Sequence, residues 1–260
     1  MSGSVTCSVA GGIAAVVLSH PGKFNAMSRA MWLQLSEVFE ALQADRQVRC
    51  VLLRGEGGHF CAGGDISEYA GFRFSEDSLR DFHEREVWGG LEAMLDCDAP
   101  IVAQIEGNCL GAGLEIASCC DLRIASDQAR FGAPIAKLGF PMAPREAAVV
   151  IRAVGELTAR EMLLSAAVLD AAEMKQRGFL NQVVTAPELA ESVTAVANRI
   201  LQLAPNAARL NKQAFRALAQ SIPAQAATEL IATCYNYAAS AEHREGVTAF
   251  IEKRKPVFAG

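Results

Sequence analysis

The sequence has no lysine/arginine run long enough to follow a phosphate backbone, and its 24 basic residues are outnumbered by 29 acidic ones, for a net charge of −5. That argues against nucleic acid as a partner, because such binding is dominated by phosphate neutralisation. Long apolar stretches are missing too: runs such as residues 13–18 fall far short of the ~20 residues that a membrane-spanning helix requires. The opening Met1-Ser2-Gly3-Ser4-Val5 has neither the basic start nor the apolar stretch of a signal peptide, so a cytoplasmic location away from membranes is expected. None of the eight cysteines forms a Cys-x-x-Cys pair, which predicts reduced thiols. Cys119 and Cys120 lie in an apolar run and read as small core residues, so no metal is expected. The Gly-x-Gly-x-x-Gly dinucleotide spacing, the P-loop, the Gly-x-Ser-x-Gly elbow and the His-Glu-x-x-His helix are also absent.

What remains is a chain of 260 residues, enough for one large α/β domain with a smaller appendage. Two β-rich runs, residues 5–10 and 13–18, flank Gly11-Gly12 and predict a hairpin. Ser28 is positioned to cap a helix whose Met31, Leu35, Val38, Phe39 and Leu42 recur at helical spacing. Strands are expected over 50–53, 101–105, 122–125 and 182–184, and a helix reaching Leu95 follows a polar, charged stretch over 73–85. Glycine-rich loops follow the strands at 50–53 and 101–105. From about Thr158 the chain turns Ala/Leu-rich and helical, with starts expected at Thr158, Asp170 and Pro187 and breaks at Pro205 and Pro223. Residues 1–195 therefore read as the core and 196–260 as a helical region too small for its own core, whose apolar faces must pack on the core or on another subunit.

Three segments stand out: Phe60-Cys61-Ala62-Gly63-Gly64-Asp65-Ile66, Glu106-Gly107-Asn108-Cys109-Leu110-Gly111-Ala112-Gly113-Leu114-Glu115, and Phe131-Gly132-Ala133-Pro134. Glycine turns between a strand and a helix let the backbone approach a ligand and leave N–H groups unpaired. Together with Cys120-Asp121-Leu122-Arg123-Ile124-Ala125, the tail from Glu245 to Arg254 and the loop His20-Pro21-Gly22-Lys23-Phe24-Asn25-Ala26, these segments resemble, in order and spacing, the motifs of the crotonase (enoyl-CoA hydratase/isomerase) superfamily. The resemblance covers nearly the whole chain.

It implies an α/β fold, a crotonase-like spiral of ββα units with a C-terminal helical trimerisation subdomain, and thus a homotrimer or dimer of trimers. It also implies an acyl-CoA substrate whose thioester carbonyl is held by the N–H groups of Gly64 and Ala112, with coenzyme A entering as part of the substrate and no separate cofactor. Developing charge on that oxygen is what preoriented dipoles stabilise best. Glu115 lies one helical turn beyond Ala112 and is the candidate acid/base. By motif position Lys23, Ala62, Gly64, Asp65, Ile66, Ala112, Phe250 and Lys253 are the candidate substrate and CoA contacts, Lys253 reaching a neighbouring subunit.

Two departures qualify the reaction. The family's hydratases carry a second carboxylate directly after Phe-Gly-x-Pro, where this chain has Ile135. Its usual glycine-rich loop is replaced by Phe140-Pro141-Met142-Ala143-Pro144-Arg145-Glu146, which predicts a reshaped acyl pocket. Glu146 offers a carboxylate from another direction, though a solvated first-turn residue is the expected reading. His59 is expected to be a solvated loop residue, and Asp65 a helix cap. Hydration or isomerisation of an enoyl-CoA leads. Thioester hydrolysis, decarboxylation, retro-aldol cleavage and a non-catalytic acyl-CoA binder are the alternatives.

Overall fold

The hairpin at the start forms as expected: β1 (Ser4–Ala10) and β2 (Ile13–Ser19) pair antiparallel with Ala10 opposite Ile13. Gly11 and Gly12 supply the turn with φ of +57° and +82°, a left-handed pair that glycine adopts without strain. This computed structural model describes residues 2–218 and 235–257. Next come α1 (Arg29–Ala44), β3 (Cys50–Gly55), α2 (Glu76–Asp81), α3 (Trp88–Asp96), β4 (Ile101–Ile105), β5 (Asn108–Leu110), α4 (Ala112–Cys119), β6 (Leu122–Ser126) and β7 (Arg130–Gly132). Then follow α5 (Pro144–Val154), α6 (Glu156–Ser165), β8 (Val168–Asp170), α7 (Ala171–Gln176), β9 (Gln182–Val184), α8 (Leu189–Leu201), α9 (Pro205–Leu218) and α10 (Ala241–Ile251).

The larger sheet runs β1-β2-β3-β4-β6-β9, parallel from β2 onward, and a smaller one runs β5-β7-β8. After β4 and again after β6 the chain adds a three-residue strand to the small sheet, then turns into helix, which is the ββα spiral. The central strands β3, β4 and β6 are largely buried because both faces of the sheet are covered there, whereas edge strand β1 is mostly exposed. On one side α8 sets Leu189, Val193, Val196 and Ala197 against Cys50, Val102 and Ile124. On the other lies the main core, where α1 contributes Met31, Trp32, Leu35, Phe39 and Leu42 and Ser28 accepts from the Met31 N–H as its cap.

Several local expectations are corrected. The helix expected to reach Leu95 is α3, but the polar stretch before it is helical too: α2 and α3 are joined by a π-helical segment, Phe82–Val87. Three-residue strands β5, β7 and β8 escape notice because they are too short to show alternation. Thr158 lies within α6, which starts at Glu156 after Gly155 at φ +82°. The break expected at Pro205 is present, α8 ending at Leu201 and Pro205 opening α9 at its first position, where a missing N–H costs nothing; Pro223 lies outside the described residues. Asp170 caps α7 in a capping box as expected.

Position 195 falls inside α8, and the helices beyond it are tied to the same chain's core. Lys212 on α9 reaches the Ala99 carbonyl at 3.0 Å and Asp121 at 2.8 Å, and Arg216 pairs with Asp98 at 2.7 Å. α10 packs so tightly on the 3-10 turn Pro134–Leu138 that a Cβ on Gly246 would lie 2.2 Å from the Leu138 carbonyl carbon. Among the described residues no helix is long and apolar enough to cross a membrane.

Candidate active site

Two glycine loops are zipped together by the backbone. Cys61 N–H donates to the Asn108 carbonyl at 2.8 Å and Leu110 N–H to the Cys61 carbonyl at 2.9 Å. Gly63 and Gly111 take φ of +119° and +49° to turn the chain here. Gly113 lets α4 approach, since a Cβ there would lie 2.4 Å from the Cys61 oxygen. The amides around these turns are used: Gly111 N–H donates to Gly132 and Asp65 N–H to Met27. The N–H groups of Gly64 and of Ala112, the first residue of α4, are not; neither has an acceptor within the protein among the described residues. Both residues line one cavity of about 290 Å³ with mainly apolar walls.

Glu115 lines the same cavity, one turn along α4, its own N–H bonded to the Gly111 carbonyl at 3.0 Å. Some of its surface remains open to the cavity, yet protein surrounds it closely. Burial first, and then the charge of Glu146, push its carboxyl up to about 8 from 4.5, with Arg73 pulling the other way. The far end of α4 is held by Arg123, whose guanidinium donates to the Ala117, Cys120 and Phe179 carbonyls. A cation on the last carbonyls fixes the helix that carries Glu115.

The rest of the cavity is built by side chains. His83 comes from the π-helical segment, and its Nδ1 lies 2.9 Å from Glu146 Oε1. Burial lowers the His83 pKa against the raising effect of Glu146, so the ring is neutral near pH 7. With Nδ1 facing the Glu146 carboxyl oxygen, the neutral ring carries its proton on Nδ1 and donates it there. Nε2 then carries the lone pair, and it is buried with no hydrogen-bond partner among the described residues. Glu146 itself is only 2% exposed, which corrects the expectation of a solvated residue: Pro144 starts α5 and sets its first turn inward. Ile135, Phe140, Pro141, Met142 and Ala143 all line the cavity, so the unusual proline segment does form its wall. Arg73 lines it too, buried, with its guanidinium 4.0 Å from the Phe140 ring centre.

Among the sequence candidates, Ala62, Gly64, Ile66, Ala112, Glu115 and Phe250 meet at this cavity. Lys23 and Asp65 lie outside its lining and pair with each other at 2.6 Å. Asp65 caps the 3-10 turn Ile66–Gly71 as expected, and although burial raises its pKa, bonds from Lys23 and Ser67 outweigh that and hold it low. Lys253 is exposed just past α10, at φ +56°, and does not line the cavity. His59 is half-buried rather than solvated: its Nδ1 accepts the Asn108 N–H at 3.1 Å, bracing the second loop from behind. Sequence reasoning missed Arg73, His83 and Tyr69. The first two sit in a charged stretch that reads as surface, and only a histidine amid the aromatic residues Phe72, Phe74, Phe82 and Trp88 hinted otherwise. Among the described residues no group of three His, Cys, Asp or Glu is arranged to hold a metal ion.

A ββα spiral with two zipped glycine loops over a shared cavity marks the crotonase class of enzymes. Residues 8–260 match the model of the enoyl-CoA hydratase/isomerase family. The chain is 33% identical over 249 residues to the short-chain-enoyl-CoA hydratase of Clostridium acetobutylicum, covering 94% of this chain and 93% of that one. It is 33% identical over 256 residues to the crotonyl-CoA hydratase of Syntrophomonas wolfei, covering 95% and 94%. A solved enoyl-CoA hydratase/carnithine racemase from Magnetospirillum magneticum superposes with a TM-score of 0.81 at 35% identity, over 98% of this chain and 95% of that one. The chain belongs to the enoyl-CoA hydratase/isomerase family.

Proposed function

We propose that the protein hydrates an enoyl-CoA thioester, with Gly64 and Ala112 N–H groups as the oxyanion hole and Glu115 and His83 dividing the proton transfers. The observation that carries this reading is a carboxyl pushed up to about 8 on the same cavity as two backbone donors without acceptors. At neutral pH such a carboxyl is mostly protonated and poised to give a proton. Water adds through its oxygen to the β carbon while its proton passes to His83 Nε2, and the electron pair of the double bond moves onto the thioester oxygen. The two N–H groups hold that enolate. Its collapse draws the Glu115 proton onto the α carbon and yields the β-hydroxyacyl-CoA. The proton gained by His83 and the one lost by Glu115 then re-equilibrate through solvent.

Glu146 acts as a positioning residue by fixing the His83 tautomer, and Ile135 serves as apolar wall. The second proton-handling group therefore comes from α5 and the π-helical segment, in place of the carboxylate that Ile135 lacks. To test the reaction, the protein is incubated with a short-chain enoyl-CoA and the product identified. A β-hydroxyacyl-CoA is expected, with turnover falling as pH rises through about 8 and Glu115 loses its proton; a double-bond isomer or a free acid would contradict it. A homotrimer or dimer of trimers fits the large side chains left bare on the single chain, among them Leu157 at 83%, Leu164 at 77% and Phe215 at 70% exposure. Light scattering showing a monomer would remove that part.

A further inference from the structure

We infer that the cavity selects acyl groups ending in a carboxylate, with Arg73 as their receptor; this rests on the acyl-CoA reading above and names its substrate class. Arg73 is 1% exposed and lines the cavity. Its guanidinium lies over the ring faces of Phe140 at 4.0 Å and Tyr69 at 4.5 Å, and one terminal nitrogen donates to the Tyr237 hydroxyl at 3.2 Å. Rings and a hydroxyl carry no net charge, and Arg73 Nε is buried with no acceptor among the described residues.

Among the described residues, the acids around this part of the cavity are committed elsewhere. Glu84 pairs with Arg145, Glu86 with Arg29 and Glu146 with His83. Glu115 keeps its proton up to about 8 and so brings little charge at neutral pH. Among the described residues no carboxylate forms an ion pair with Arg73. A buried cation without a counter-charge is strongly unfavourable, and proteins keep one where a ligand supplies the partner. Because the rings occupy the faces of the guanidinium, a ligand can meet it only in its plane, where it donates one bond to Tyr237 and keeps further N–H groups for a carboxylate. A second anion on the acyl chain, beyond the thioester, meets both needs.

The test is calorimetric titration of the wild-type protein with saturated thioesters that hydration cannot consume: succinyl- and glutaryl-CoA against butyryl- and pentanoyl-CoA. The carboxylate-ended pair is expected to bind about 10–100-fold more tightly, the scale of hydrogen bonds to a charged group. In Arg73→Met that ratio is expected to shrink to a few-fold, and Arg73→Lys to retain part of it. Equal affinity of the two pairs for the wild type would overturn the inference while leaving the hydratase reading in place, and it is also the result expected if Arg73 served the phosphates of coenzyme A. Binding of neither pair would overturn the acyl-CoA reading and this inference with it. If Arg73→Met does not fold, the wild-type comparison decides alone.

Discussion

On one side of the cavity, Gly64, Ala112 and Glu115 are set by two loops that hydrogen-bond to each other and by the helix that grows out of the second. On the other side, His83 and Glu146 stand 63 residues apart in the chain and meet only because the fold brings the π-helical segment and the first turn of α5 to one cavity. The first wall presents two backbone dipoles, set by the glycines of its loops, beside the single side chain of Glu115; the second is built of side chains only, which single substitutions can change. Under the proposed roles, that division would let one oxyanion-binding wall be kept while the acid/base partner and the acyl group accepted change.

The largest effect that sharpens the contrast is at Glu115. Glu115→Gln keeps the shape and removes the proton donor, and turnover is expected to drop roughly 10²–10⁴-fold with acyl-CoA binding largely kept, as steady-state kinetics beside calorimetry would show. On the side-chain wall, His83→Gln is expected to cost on the order of 10²-fold in turnover. Glu146→Gln should cost less and also shift the pH profile, since it alters the partner of the ring rather than the ring itself. An unchanged profile would assign Glu146 a packing role.

A third effect is thermodynamic. The folded protein holds the Glu115 carboxyl at about 8 against 4.5 unfolded. Its burial is harmless below the lower value, where both states are protonated, and becomes increasingly destabilising as pH rises toward the upper one. Glu115→Gln should therefore match the wild type in stability near pH 4 and exceed it by about 3 kcal/mol at neutral pH, measured by denaturant titration at both. The smallest effect belongs outside the cavity: Lys23→Ala breaks the pair with Asp65 on a side chain 41% exposed and should cost under about 1 kcal/mol.

The backbone wall was legible in the sequence because glycine spacing is a local signal: positive φ at Gly63 and Gly111 and close approach at Gly113 dictate residue type directly. The hairpin, the Ser28 cap and the β4-to-α4 passage were legible for the same reason. The side-chain wall was not. Glu146 in a first turn after proline has the same local pattern whether it faces water or a histidine, and only the tertiary fold decides. The π-helical segment has no periodic signature of its own, so the turn that carries His83 into the cavity could not be read from spacing. Lys253 and the expected trimer depend on contacts beyond a single chain.

Ala112 gives the most direct test of the central claim, because it is the first residue of α4, where proline is tolerated and its one chemical deficit is the missing N–H. In Ala112→Pro, with helix content and melting temperature compared to the wild type, kcat/KM on an enoyl-CoA is expected to fall about 10²–10³-fold. A folded Ala112→Pro protein that turns over at the wild-type rate would contradict the claim that this amide stabilises the reacting oxygen.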